Sequence, residues 1–402
     1  MIQEQILRQT IEIQNVSNNL KNEIIVREYF EQYQSKENFA NIIAGIRRCG
    51  KSSLLIYWQK LLNSDEILYL NFDSSKLFNF ELIDFRLLDK IIYETPKKIL
   101  FFDEIQVVKG WEVYVREKLD EGFHVIITGS NASLLSKELG TKLTGRHMTR
   151  ELFPFSYHEF LKYKQLDNTE ANLNSYLKIG GFPEYLKSAD YSVLEFLFDD
   201  ILYRDVAVRF GIRDIFSLKK LAVYLLTNIG SPVSATKLKQ ILTVKSTATI
   251  LEYFSHLENA YLIFFVPVFS HSPKVQLVTP RKVYAIDTGL ADVIGTSFSD
   301  NYGRKLENAV FLCLRRKYKE IYYFNDKKNE CDFIVVENGR VSEVIQVCYE
   351  LTHDNQNREF KGINVAIDVL KPLKASIITF NQSDSYWYNQ LLVEIIPFNI
   401  YF

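Results

Sequence analysis

Eight residues, Gly45-Ile-Arg-Arg-Cys-Gly-Lys-Ser52, constrain the fold of this chain more than any other stretch. The apolar run before them, Phe39–Gly45, reads as a short buried strand, and Lys51–Leu62 after them carries apolar residues at helical spacing. A strand, a glycine turn and a helix N-terminus in succession aim a set of backbone N–H groups at one point. Phosphate oxygens suit that point, because the donors lack helix partners and the helix end is partially positive. Lys51 would reach the β- and γ-phosphates, and the Ser52 hydroxyl would ligate Mg2+. The expected nucleotide-binding set is therefore Gly45, Ile46, Arg47, Arg48, Cys49, Gly50, Lys51, Ser52 and Ser53. Within it Cys49 is a small filler. Arg47 and Arg48 either add charge against the nucleotide or face solvent or a partner.

Such a loop needs a carboxylate for the metal at the end of a neighbouring strand. Ile99–Phe102 is an unbroken apolar run, as in a parallel strand buried on both faces, and it ends in Asp103-Glu104. Asp103 would hold Mg2+ through water, and Glu104 would polarise the attacking water. A third strand, His124–Asn131, ends in Ser130 and Asn131, either of which would sense the γ-phosphate or orient water. Glu66–Asp73 reads as a peripheral strand, and Thr149–Phe160 as a fifth strand before a helix.

Taken in order, GIRRCGKSS, ILFFDEIQ, ITGSN, LTGR, ELFPFSYHEF and GGFPEYL resemble a prokaryotic AAA+-type ATPase family whose ATPase precedes a C-terminal domain of uncharacterised function. The resemblance covers nearly the whole chain. It implies a core of five parallel strands with an N-terminal helical segment (residues 1–160) and a helical lid (161–214). It implies ATP rather than GTP, since no NKxD-type guanine reader is present. It also implies a homo-oligomer in which an arginine from one subunit touches the γ-phosphate of the next. Arg146 occupies the LTGR position, with Arg150 as the alternative.

From 215 to 286 the charge balance changes: eight lysines and arginines stand against Glu252 and Glu258 alone. Apolar spacing gives three helices. The first holds Leu218, Leu221, Ala222, Leu225, Leu226 and Ile229 and stops at Gly230; the second follows Ser234, with Leu238, Ile241 and Leu242 inward. The third follows Ser246, with Ile250, Leu251, Phe254 and Leu257 inward. Two strands around a loop with Pro273 and Lys274 complete a winged-helix pattern. Lys245, Ser246, Thr247 and Thr249 would face a DNA groove, with Lys274, Arg281 and Lys282 on phosphates. A protein connector is the alternative use of such a module.

Residues 287–402 read as helix, three strands, helix, strand, with Glu337-Asn338-Gly339 as a hairpin signal. The order resembles the restriction-endonuclease-like fold, whose site is a helix acid, a strand acid and E-x-K on the next strand. Glu307 and Asp332 match the two acids, while Gln346-Val347-Cys348 stands in the E-x-K place. Gln346 is a poorer Mg2+ ligand than a carboxylate, and Cys348 cannot replace an ammonium at neutral pH. Lys327 or Lys328 is the nearest substitute in the chain. The expectation is a degenerate nuclease-like domain that binds DNA or a protein partner.

The bulk numbers exclude several classes. Net charge is -1, so nucleic-acid contact must come from a local patch. The four cysteines form no CxxC pair, which argues against a zinc site or a disulfide framework. The N-terminus lacks a signal-peptide pattern, and the longest apolar run, near Ala260–Ser270, is too short to cross a bilayer. The expected protein is a cytoplasmic, membrane-free, ATP-hydrolysing switch or regulator associated with DNA. Its rivals are an ATP-dependent nuclease with an active C-terminal domain, and a non-hydrolysing ATP-bound interaction scaffold.

Overall fold

In the computed structural model, residues 2–21, 24–31, 36, 38–62, 65–132, 137–242, 244, 246–296 and 301–402 are described, and the chain divides into two compact units, Met1–Phe153 and Pro154–Phe402.

The first unit is built on five short strands: β1 (Ala40–Ala44), β2 (Ile67–Asn71), β3 (Ile99–Asp103), β4 (His124–Gly129) and β5 (His147–Glu151). All neighbours run parallel in the order β2-β3-β4-β1-β5. β1 is buried along its whole length and β3 from Leu100 onward, as strands covered by helices on both faces must be. The order corrects one expectation. β3, which ends in Asp103, does not adjoin β1; β4 lies between them. The fifth strand also starts earlier than Thr149 and ends before Pro154, which has no N–H to continue a ladder. Helix Glu4–Leu20 packs beside β2, where the Gln14 amide accepts from Asn71 N at 2.8 Å and donates to Asn71 O at 3.1 Å.

The second unit begins with helices Tyr157–Lys164, Glu170–Ile179, Pro183–Ser188 and Ser192–Asp200, the last running on through an eight-residue π-helix, Ile201–Val208. Ser156 and Glu159 cap the first of these reciprocally. Three further helices, Ile215–Thr227, Ala235–Leu242 and Thr247–Asn259, pack with an antiparallel sheet of β6 (Pro232–Val233), β7 (Ile263–Val266) and β8 (Arg281–Ala285), ordered β6-β8-β7. The sheet therefore has a short third strand that the sequence pattern did not announce. Two inward assignments also fail: Ile241 is 60% and Leu251 48% exposed, while Tyr253 is buried. The loop between β7 and β8 contains a short helix, Pro273–Val278.

The C-terminal part carries a six-stranded sheet ordered β13-β14-β12-β11-β10-β9, from β9 (Glu320–Asn325), β10 (Glu330–Glu337), β11 (Arg340–Val347), β12 (Lys374–Thr379), β13 (Asp384–Tyr388) and β14 (Leu391–Pro397). The last two strands extend the expected helix-strand order. β10 and β11 turn at Asn338-Gly339, both with positive φ (52° and 75°), as a tight antiparallel hairpin requires. Helix Gln356–Leu370 lays Ile363, Ala366 and Ile367 on Ile334, Val344 and Ile377 of the sheet.

Candidate functional site

β1 ends at Ala44 and helix Lys51–Leu62 begins seven residues later, so the glycine loop lies at the C-terminal edge of the parallel sheet. Gly45 has no room for a side chain: a Cβ there would meet Leu152 O at 2.1 Å. Gly50 has φ +105°, a conformation other residues rarely adopt. Arg48 also sits in the left-handed region, at φ 63°, and is exposed. Lys51 is buried, and its ammonium donates to Gly45 O (3.0 Å) and Ile46 O (3.1 Å) and pairs with Glu104 Oε1 at 3.3 Å. Burial opposes its charge, but the negative groups around it, Glu104 foremost and Asp103 with it, together raise its pKa. Cys49 is fully buried, with its thiol donating to Leu152 O at 3.3 Å and pushed up in pKa by burial. It fills the back of the loop, away from solvent. Ser53 is exposed, whereas the Ser52 hydroxyl reaches the Asp103 carboxylate.

Asp103 is fully buried and saturated with donors. Tyr69 Oη (2.8 Å) and Asn71 Nδ2 (2.9 Å) donate to Oδ2, and Thr128 Oγ1 donates to Oδ1. Burial, with the adjoining Glu104 charge, pushes its pKa up. Burial also works against Glu104, yet Lys51, the Gln106 amide and Arg47 bring its pKa below the ordinary value. Glu104 is held at φ 53° and its N–H donates to Thr128 Oγ1 at 3.1 Å. A charged residue in left-handed backbone, fixed by a buried hydroxyl, is a strained arrangement of the kind that gathers at functional positions. Tyr69, Asn71 and Thr128 were not found from the sequence. The signal was there: Tyr69 and Asn71 are two apart on β2, so they share the face that meets Asp103. Asn131 and Ser130, just past the end of β4, are both buried beside the loop, whose Gly45 N–H donates to Gly129 O at 3.2 Å.

The two arginines lie elsewhere. Arg146 O accepts from Ala40 N at the start of β1, the edge of the sheet opposite the glycine loop, and its guanidinium pairs with Asp120 at 2.7 Å. It cannot serve the loop of its own chain. Arg150 is drawn inward over the rings of Phe30 (4.7 Å) and Trp58 (5.8 Å) and donates to Tyr29 O, so its charge is used internally.

A second polar cluster occupies the C-terminal part, and it corrects the reading of Lys282. Expected on phosphates at the surface, Lys282 is 1% exposed and pairs with Glu330 (2.7 Å), Asp332 (2.8 Å) and Glu307 (3.2 Å). Tyr284, two residues along β8, donates to Glu307 at 2.7 Å. Asp332 lies beside Gln346 across the hairpin, with Asp332 N donating to Gln346 Oε1 at 3.3 Å. Gln346 Nε2 in turn donates to the buried Glu359 at 2.7 Å. Cys348 falls just past β11, its thiol donating to Glu350 O and pushed up to about 11 by burial. Glu307, Glu330, Asp332, Gln346, Arg358 and Glu359 line a cavity of about 660 Å³. Lys328 reaches its rim, but the ammonium between the acids comes from Lys282. Among the described residues no group of three or more His, Cys, Asp or Glu side chains is placed to hold a metal ion. Three carboxylates stand around the one ammonium of Lys282, so the cluster keeps a formal excess of negative charge.

On the three-helix part, Ser246 caps its helix by accepting from Thr249 N at 3.1 Å, and their hydroxyls meet at 3.0 Å. Thr247 is half-buried. Arg281 lies over Phe265 at 4.5 Å and Lys219 pairs with Asp199 at 2.6 Å, whereas Lys220, Lys237 and Lys274 are exposed. Lys245 lies outside the described residues. Among the described residues no helix is long and apolar enough to cross a membrane.

An AAA domain family matches residues 37–161, and a domain of unknown function (DUF8612) matches residues 170–299. The uncharacterized protein MJ1544 of Methanocaldococcus jannaschii is 35% identical over 99% of this chain and 95% of its own length. An uncharacterized protein of Haemophilus influenzae is 34% identical over 80% of this chain and 86% of its own. The solved structure of AMPPCP-bound DnaA from Aquifex aeolicus aligns with 64% of this chain and 89% of its own at 14% identity and a TM-score of 0.28, a likeness too slight to carry a conclusion.

Proposed function

The chain belongs to the same family as MJ1544 of Methanocaldococcus jannaschii and carries an AAA domain over residues 37–161, and on that premise we propose that it binds and hydrolyses ATP as a switch associated with DNA. One observation carries the reading. Lys51, Ser52, Asp103 and Glu104 converge at the edge of the sheet where the loop Gly45–Gly50 joins β1 to the helix beginning at Lys51. Among the described residues the buried Lys51 is held by carbonyls and a carboxylate, partners that a phosphate oxygen can replace.

Ser52 and Asp103 are the residues to hold Mg2+, Asp103 through water, since its own oxygens already accept from Tyr69, Asn71 and Thr128. Held there, the ion would supply positive charge against the triphosphate. Lys51 moves from Glu104 to the phosphates, which frees Glu104 to take a proton from water. That water attacks the γ-phosphorus, the bond to the β,γ-bridging oxygen breaks, and ADP and phosphate leave. Asn131 orients the water. Arg146, on the opposite edge from its own loop, is suited to act only across a subunit boundary, so the reading includes a homo-oligomer. The Lys282 cluster is the polar core of a nuclease-like domain without cutting ability. DNA association rests on Lys220, Lys237 and Lys274, which are exposed in the three-helix part.

Steady-state phosphate release with and without DNA tests the proposal. Glu104→Gln is expected to bind ATP within a few-fold of wild type and to turn over about a hundredfold more slowly or worse. Equal turnover in wild type and Glu104→Gln contradicts hydrolysis at this site. Stimulation by DNA that is lost in Lys237→Glu/Lys274→Glu is expected; indifference to DNA removes that part of the reading.

A further inference from the structure

The strip Ile24–Glu31 precedes the matched AAA domain, yet it wraps the back of the glycine loop. Its anchor is Arg27, which is 5% exposed. Nη1 donates to Cys49 O at 2.8 Å and Nη2 to Phe153 O at 2.6 Å, so one guanidinium joins the loop to the chain leaving β5. Next to it the Cys49 thiol binds Leu152 O, and Gly45 lies against the same carbonyl. The strip is fixed at a second point, where Trp58 Nε1 of the helix after the loop donates to Phe30 O at 3.1 Å.

We propose that Arg27 is a positioning residue for the nucleotide site: by holding the Cys49 carbonyl from behind, it aims the Gly50 N–H at the phosphates. The physical reason is the planarity of the peptide. In a trans unit the C=O and N–H point in opposite directions, so a carbonyl pinned behind the loop sets the direction of the amide in front. Gly50 alone would leave that unit free to rotate, because at φ +105° glycine has little steric preference. Arg27 also lies close: a Cβ on residue 50 would stand 3.3 Å from Nη1, a tight contact that would press on the guanidinium. A lysine can satisfy one of the two carbonyls but cannot span both in a fixed fork. The guanidinium touches no phosphate in this account; it acts through the loop.

The inference rests on ATP binding at this loop, and its effect has a kinetic signature. An aimed amide contacts the phosphates equally in the ground state and the transition state, so losing it weakens binding without slowing the bound complex. Full-length Arg27→Met is expected to raise KM for ATP, and Kd for ADP, by about tenfold, the size of one well-formed hydrogen bond to a charged group, with kcat within about twofold of wild type. Arg27→Lys, which keeps the buried charge and one bond, is expected to fall between them. A purely structural role would give the reverse pattern, a lowered kcat from a smaller folded fraction with KM unchanged. If Arg27→Met does not fold, Arg27→Lys decides: a KM equal to that of wild type overturns the proposal. Absence of any ATP affinity in wild type sinks the ATP reading itself. Wild-type affinity with an unmoved KM in the Arg27 variants sinks only the role given to Arg27.

Discussion

A lysine in the middle of an apolar strand must either reach water or be met by acids, and Lys282 in Arg281–Ala285 takes the second course. Three carboxylates around one ammonium leave a formal excess of negative charge, which a proton on Glu307 reduces, so the arrangement depends on every member. Removing the ammonium in Lys282→Met is expected to cost about 3–5 kcal/mol in urea unfolding at pH 8, since Glu307 and Asp332 are then buried without a cation. Glu307 sets the pH dependence. Burial pushes its carboxyl up to about 7 from an ordinary 4.5, despite Lys282 beside it. Between those values the folded chain keeps a proton that the unfolded chain releases, so this group's contribution falls as pH rises through that window. Relative to Glu307→Gln, wild type is therefore expected to lose stability from pH 4.5 to 7, and the Lys282→Met deficit is expected to shrink at pH 5. A deficit equal at pH 5 and pH 8 contradicts this account. At this scale the loop residues, Asp103 and Glu104 were legible because glycine spacing and an apolar strand ending in acids are local signals. Lys282, Tyr69 and Arg27 were not, because their partners lie at least 25, 34 and 22 residues away.

Close approach of backbones decides how the helices of the second unit pack. Helix Thr288–Ile294 meets the end of Glu170–Ile179 through Gly289, where a Cβ would stand 2.1 Å from Ile179 O. Asp287 locks the same corner, capping its helix at Leu290 N (2.9 Å) and accepting from Gly181 N at 2.7 Å. Gly289→Ala is expected to lower stability by about 1–3 kcal/mol, because backbone rather than a mobile side chain must give way. An unchanged urea midpoint would show that the two helices can part at no cost. Elements were legible wherever their signals are short-range. The Asn338-Gly339 turn, the Ser246 cap and the apolar strands of both sheets are all written in a few residues. Strand order was not, since nothing local to β3 says that β4 separates it from β1. The outward Leu251 and inward Tyr253 show the related limit on helices: the partner surface, and not the spacing alone, chooses the buried face.

For the whole molecule, net charge near zero kept the argument on local patches, and burial then changed their membership. The excess of basic residues in 215–286 counts Lys282 and Arg281, yet one is consumed by acids and the other lies over an aromatic ring. Charge counted along a sequence overstates a surface whenever a strand carries its cations inward. The division into Met1–Phe153 and Pro154–Phe402 puts every residue proposed for ATP chemistry in the first unit, so its central property can be measured directly on the full chain. That measurement is calorimetric titration of wild type and Lys51→Ala with ATP and Mg2+. The account predicts one site per chain in wild type and at least a tenfold loss of affinity when the ammonium is removed. No heat with wild type, or the same affinity in Lys51→Ala, would contradict it.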